Sequence, residues 1–174
     1  GLNACHPFVH ENACLDRTLL LAGNFNLTDT AEIFRILQAT GHHPSSRQDG
    51  ALILQLISHS LEQMRDQKQH NFSLAEVLTR AIRNFDGAYT LCGILGNGEA
   101  FAVRDPAGIR PGYYYFDDEV VAVSSERPAI QAAFNCSTAD AGELPPGQAL
   151  IISRDAQVRF ERILPENRCG GAFS

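Results

Sequence analysis

The sequence predicts an α+β domain in which a few amphipathic helices cover mostly antiparallel β-structure, and three observations predict it. Between Asp86 and Ser124, four apolar runs of strand length alternate with turn chemistry. Ahead of them, helix-start signals are followed by apolar residues at helical spacing. Behind them, residues 148–152 and 157–160 flank Arg154-Asp155-Ala156 as a final hairpin.

Taken in order, residues 1–12 are polar and interrupted by Pro7, and they read as a loop. His6, His10 and Cys14 stand four apart, a spacing that invites a metal. Pro7 breaks a continuous helix through them and a tetrahedral zinc site wants a fourth ligand, so they read as loop residues and no metal ligand is assigned. Residues 18–22 read as a short buried strand that enters a loop at 23–28. Asp29 stands three residues before Glu32, apolar residues recur at Ile33, Phe34, Ile36 and Leu37, and Gly41 closes the segment, which predicts a helix over 30–40. Residues 42–47 form a loop. A second helix spans 50–67 behind Asp49 as its N-cap, with Ile53, Ile57, Leu61 and Met64 on one stripe. Ser73 and Glu76 form a capping box for a third helix to about residue 84, burying Leu74, Val77, Leu78, Ala81 and Ile82.

The central stretch then predicts four strands in one antiparallel meander. Residues 88–95 and 100–103 are joined at Asn97-Gly98; Asp105-Pro106-Ala107-Gly108 turns the chain; 113–116 and 119–124 are joined at Asp117-Asp118. Its nearly continuous apolar character implies cover on both faces. Pro128 opens a short helix, residues 143–147 form a turn, and the final hairpin closes the domain.

With 174 residues the chain is one domain, long enough to bury a sizeable core. It is 44% hydrophobic and 20% charged, an ordinary globular composition. A formal charge of −6 without a Lys/Arg run argues against a nucleic-acid partner, and no apolar run is long enough for a bilayer. Five cysteines, at 5, 14, 92, 136 and 169, are an odd number without framework spacing, which predicts reduced thiols in a cytoplasmic protein. Cys92 reads as a packing residue. The chain starts at Gly1 and stops after Arg168-Cys169-Gly170-Gly171 without a structural terminator, as a fragment of a longer protein does.

Arg104-Asp105-Pro106-Ala107-Gly108-Ile109-Arg110-Pro111, with Asp86-Gly87-Ala88-Tyr89 before it and Ser124-Ser125-Glu126-Arg127-Pro128 after it, resembles the glutaminase domain of the amidophosphoribosyltransferases. The resemblance covers roughly residues 3–164. It implies a class II glutamine amidotransferase domain with the N-terminal nucleophile fold, an αββα sandwich of mostly antiparallel sheets, here with its N-terminal part missing. Residues 165–174 would begin the linker toward an absent phosphoribosyltransferase domain. The octapeptide contains no obvious acid, base or nucleophile, so it reads as an architectural marker.

The resemblance also implies the site. Aligned on Asn26-Leu27-Thr28, Asn24 matches the family asparagine whose amide stabilises the oxyanion, and Phe25 supplies the second donor through its backbone N–H, in a place where the family has glycine. Gln48-Asp49-Gly50-Ala51 keeps the aspartate that holds the α-ammonium of glutamine. In the family an N-terminal cysteine attacks the glutamine amide, ammonia leaves, and a transferase domain uses it to displace pyrophosphate from phosphoribosyl pyrophosphate. The nucleophile is absent from this sequence, Gly1 having no side chain, so the expectation is that these 174 residues alone do not hydrolyse glutamine. No cofactor is expected in this chain, magnesium belonging to the transferase; no iron–sulfur cluster is expected either, despite Cys169 near the junction, because the other cysteines lack matching spacing. The full-length protein is expected to be a homo-oligomer. The alternatives are the glutaminase domain of another class II amidotransferase, or a degenerate, non-catalytic module that regulates or scaffolds a partner.

Overall fold

The computed structural model describes residues 6–42, 44, 46–66 and 73–167. Its elements run β1 (Phe8–His10), β2 (Leu19–Leu27), α1 (Thr30–Ala39), α2 (Asp49–Asp66), α3 (Leu74–Ile82), β3 (Gly87–Leu95), β4 (Ala100–Arg104), β5 (Tyr113–Phe116), β6 (Val121–Ser124), α4 (Arg127–Phe134), β7 (Gly142–Glu143), β8 (Gln148–Ile152) and β9 (Val158–Arg162). Helix starts follow the chemistry read from the sequence. The Asp29 carboxylate accepts from the Glu32 N–H at 3.0 Å, and Ser73 and Glu76 form a reciprocal capping box. Pro128 sits in the first turn of α4.

Two antiparallel sheets result. One has six strands in the order β1-β2-β3-β4-β8-β9; the other has three, β6-β5-β7. Alternation along the strands sorts the side chains of the large sheet between two faces. Leu19, Leu21, Leu91, Val103 and Ile151 face α1, α2 and α3 in the main core. Ala102 and Leu150 face the small sheet, where Tyr114, Val121 and Val123 pack against them. On the outer side of the small sheet, Phe134 of α4 stacks on Tyr115 with ring centroids 5.2 Å apart. The layers are therefore helices, sheet, sheet, helix, the αββα order expected.

Three sequence expectations are corrected. Residues 23–27 are not a loop, because β2 continues to Leu27 and pairs throughout with β3, from Leu19↔Leu95 to Leu27↔Gly87. Residues 8–10, read as loop, add an edge strand to β2. The four-stranded meander is two hairpins in different sheets, since β3 and β4 belong to the large sheet while β5 and β6 leave for the small one.

The break lies in the octapeptide. Asp105 is fully buried, and its carboxylate accepts from the N–H groups of Ala107 and Ile109 (both 3.0 Å), Arg110 (3.1 Å) and Tyr89 (3.3 Å). The Arg104 guanidinium donates to the carbonyls of Arg110 (2.7 Å), Gly108 (2.7 Å) and Leu144 (2.9 Å) and to Glu143 Oε1 (2.7 Å). These two side chains fold the loop back on itself and tie it to the strand region at 143–144. A turn wound this tightly cannot continue the pleat of β4, so the next strand starts in a second layer.

Gly87 anchors the other end of the pairing between β2 and β3. Its φ is +129°, and a Cβ placed there would stand 2.3 Å from the Asn26 carbonyl oxygen. Backbone strain and the clash act together, so Gly87→Ala is expected to cost about 3 kcal/mol in urea unfolding with an unchanged m-value. A loss under about 0.5 kcal/mol would show that the strand end is slack.

Candidate functional site

Antiparallel pairing fixes which backbone groups of β2 are spent. The Gly96 N–H donates to the Thr18 carbonyl at 3.0 Å and the Thr28 N–H to the Asp86 carbonyl at 2.9 Å, so the even-numbered residues of the strand exchange hydrogen bonds with β3. The N–H groups of Gly23, Phe25 and Leu27 point to the opposite edge. There β1 covers only Leu19–Leu21. Beyond that point, among the described residues, no strand pairs with this edge of β2.

The start of α2 meets this edge. The Asp49 carboxylate accepts from the Leu27 N–H through Oδ2 at 2.8 Å. The expected capping role thus gives way to a tertiary contact that docks the helix start on the strand. A carboxylate offers about four acceptor positions, so this bond leaves capacity for a cationic ligand. The approach is close because residue 50 is glycine: a Cβ there would stand 2.3 Å from the Phe8 ring and 2.9 Å from the Phe25 ring. Phe8, Phe25 and His6 form an aromatic cluster against this corner, with His6–Phe25 centroids 5.5 Å apart and Phe8–Phe25 6.2 Å apart.

Phe25 occupies extended backbone within β2; among the described residues, the non-glycine positions with positive φ are Asn135 and Ala156. A side chain is therefore accommodated where the family has glycine, and the backbone donor is kept. Asn24 lies on the opposite face from Phe25 and is exposed. It lines a cleft of about 210 Å³ between the two sheets together with Thr90, Cys92, Ser124 and Ser125. The Asn24 side chain thus faces the cleft between the sheets beside Thr90 and Cys92 of β3, while the Phe25 N–H lies in the plane of the sheet at the strand edge beyond β1, with Asp49 one two-residue step farther along, roughly 7 Å. That separation is comparable with an extended glutamine. Along this edge the Phe25 N–H is a hydrogen-bond donor and the Asp49 carboxylate an acceptor, a pairing that suits a polar ligand with an ammonium group at one end.

A larger open hollow of about 630 Å³ lies near Asp86, Gly87 and Arg110 at the other end of the β2–β3 pair. Asp86 is engaged there by the Thr28 hydroxyl at 2.7 Å.

The cysteines divide. Cys14, Cys92 and Cys136 are free thiols. Burial pushes the Cys92 thiol up to about 11, so it is protonated at neutral pH and is no nucleophile despite bordering the Asn24 cleft. Cys5 and Cys169, on which the expectations about nucleophile and cluster turned, lie outside the described residues. His6, His10 and Cys14 do not gather. Among the described residues the group of three or more metal-ligating side chains is His42, His59 and Glu62, which no sequence spacing had suggested. No described helix is long and apolar enough to cross a membrane.

Residues 5–132 match the family model of the glutamine amidotransferase domain. Among curated proteins, the amidophosphoribosyltransferase of Methanocaldococcus jannaschii is 29% identical over 88% of this chain and 30% of its own length. That of Saccharomyces cerevisiae is 28% identical over 84% of this chain and 30% of its own length. The chain thus spans about a third of the curated relatives it matches. Among solved structures, the glutamine phosphoribosylpyrophosphate amidotransferase from B. subtilis, complexed with ADP and GMP, superposes with a TM-score of 0.70 at 23% identity, covering 94% of this chain and 33% of that one. The likeness shows that this chain shares the fold of the matching part of that structure.

Proposed function

The chain belongs to the glutamine amidotransferase domain family, and on that premise we propose that it is the glutaminase portion of an amidophosphoribosyltransferase. It would bind glutamine at the open edge of β2 and stabilise the tetrahedral intermediates of amide hydrolysis. The released ammonia would pass to a phosphoribosyltransferase domain, with residues 165–174 leading toward it, for transfer to phosphoribosyl pyrophosphate in the cytoplasm. The observation that supports this reading is the Asp49 carboxylate docked on the Leu27 N–H, two residues along β2 from Phe25, at a strand edge that β1 leaves uncovered among the described residues.

Each group has a separate task. The Asp49 carboxylate pairs with the α-ammonium and fixes the register of the substrate along the strand. Attack on the side-chain carbonyl moves negative charge onto its oxygen, where the Asn24 amide and the Phe25 N–H donate to it. The Phe25 donor is held by the backbone of β2 before substrate arrives, so little reorganisation of it is required as the charge develops. The attacking thiolate of this chemistry uses its own α-amino group as base. Cys14, Cys92 and Cys136 are internal residues without one, so in this reading the nucleophile lies outside the described residues.

Asp49 separates the binding role from the structural one. Asn at this position can still accept from the Leu27 N–H through its side-chain oxygen, whereas Ala cannot. In the complete enzyme, Asp49→Asn is expected to raise KM for glutamine about a hundredfold while leaving melting temperature and ammonia-dependent synthesis intact. Asp49→Ala is expected to lose stability as well, by about 1–2 kcal/mol. Equal loss of glutamine- and ammonia-dependent activity in the Asn variant would make Asp49 a structural residue only.

A further inference from the structure

The second half of α2 carries a cluster that the glutaminase reading does not use. His59 and Glu62, one helical turn apart, meet His42, which lies just beyond the end of α1. One potential ligand atom from each of the three lies within 4.8 Å of the others, and all three residues are half-buried. The His42 and His59 rings meet edge to face, with centroids 4.5 Å apart. His59 stands ten residues after Asp49, roughly 15 Å along the helix, so this is a separate place from the glutamine edge.

The hydrogen bonds around the cluster leave ligand atoms free. The single hydroxyl proton of Thr40 is directed at the helix carbonyls of Leu37 (2.9 Å) and Ile36 (3.1 Å). Toward His42 Nδ1, 3.4 Å away, that hydroxyl can therefore only accept. An Nδ1–H donating to it leaves the Nε2 lone pair available to a metal ion. His59 Nε2 is buried without a hydrogen-bond partner. Glu62 is oriented from behind by Asn12, whose Nδ2 donates to Oε1 at 3.3 Å, while His10 Nε2 lies 3.6 Å from the same oxygen and is also buried without a hydrogen-bond partner. Two histidines and a carboxylate, each with an outer partner or an orphaned nitrogen, are better explained by an ion than by packing, because an orphaned buried polar atom is costly.

We propose that His42, His59 and Glu62 bind one divalent cation of the zinc class, with water in the fourth position. Ligand atoms around a tetrahedral zinc stand about 3.4 Å apart, so the cluster needs to contract by roughly 1 Å, which side-chain rotation supplies. The ion would clip the connection between α1 and α2 to the middle of α2, beside β1. Its role is structural, and the inference does not depend on the glutaminase reading.

The test is zinc binding by the 174-residue chain. The protein is stripped with a chelator, titrated with Zn2+ against a chromophoric competitor, and its bound metal counted by atomic emission. One zinc per chain is expected, with affinity reduced at least tenfold by His59→Gln and by Glu62→Gln, and with a zinc-dependent rise in melting temperature that both variants lose. Co2+ in place of zinc is expected to give weak visible bands without a thiolate charge-transfer band. Binding below one equivalent, affinity unchanged in both variants, or a thiolate band that assigns the metal to cysteines would each overturn the proposal. Circular dichroism of the metal-free variants checks folding, and Glu62→Gln, which alters one half-exposed group, supplies the readout if His59→Gln does not fold.

Discussion

Asp105→Ala is expected to destabilise the domain by about 5 kcal/mol, the largest loss we foresee for a single substitution. One fully buried carboxylate satisfies four backbone N–H groups, those of Tyr89, Ala107, Ile109 and Arg110. Removing it strands the buried donor of Tyr89 and releases the loop donors to water, each buried donor costing ~1–3 kcal/mol and the loop losing the contacts that hold its shape. Since a domain of this size is stable by only about 5–15 kcal/mol, the variant is expected to be largely unfolded near 37 °C. Arg104→Lys is expected to follow it closely, at about 3 kcal/mol, because one ammonium cannot reach the four acceptors that the guanidinium fork serves at 2.7–2.9 Å. Urea unfolding followed by far-UV circular dichroism measures both. If Asp105→Ala lost less than about 1 kcal/mol, the octapeptide would not be the element that separates the two sheets.

In the complete enzyme, Asn24→Ala is expected to lower glutamine-dependent kcat by a factor of about 10²–10³, the usual effect of deleting one oxyanion donor. Ammonia-dependent synthesis is expected to stay at wild-type level. Stability is expected to shift by less than ~0.5 kcal/mol, since Asn24 is exposed and its backbone bonds to β3 do not involve the side chain. Asn24→Asp is expected to be worse than Ala, because a carboxylate would face the developing oxyanion. The Phe25 N–H remains in both variants, which accounts for residual turnover. Phe25→Gly, by contrast, keeps the donor and removes the ring that packs on Phe8 and His6, so its effect is expected in stability more than in kcat. Wild-type kcat in Asn24→Ala would remove this residue from the site.

The two substitutions bracket a division of labour within one motif set. The octapeptide carries the resemblance most specifically, and its Arg104 and Asp105 side chains are consumed in holding the fold. In the proposed function the chemistry falls on Asn24 and Asp49, whose local sequence is less distinctive. On that reading recognition and reaction are served by different residues.

The sequence by itself determined the helices and tight hairpins, because caps, apolar periods and turn pairs act over a few residues. Ser73 with Glu76, Asp29 with Glu32, and the alternation of residues 148–160 each specify their own element. Through resemblance it also nominated Asn24, the Phe25 N–H and Asp49 as site residues, without saying how they stand to one another. Only the tertiary structure decided that β2 runs through Asn24 and Phe25, since a polar Gly-Asn-Phe-Asn stretch has no strand pattern and is held extended by β3 on one side. Only it decided that Asp49 docks on Leu27 N–H, twenty-two residues away, and that four successive apolar strands part into two sheets at a buried aspartate. The gathering of His42, His59 and Glu62 was likewise invisible beforehand. Contacts of this kind join groups that are distant along the chain, and no local propensity encodes them; they exist only once hydrophobic burial has packed the helices against the large sheet.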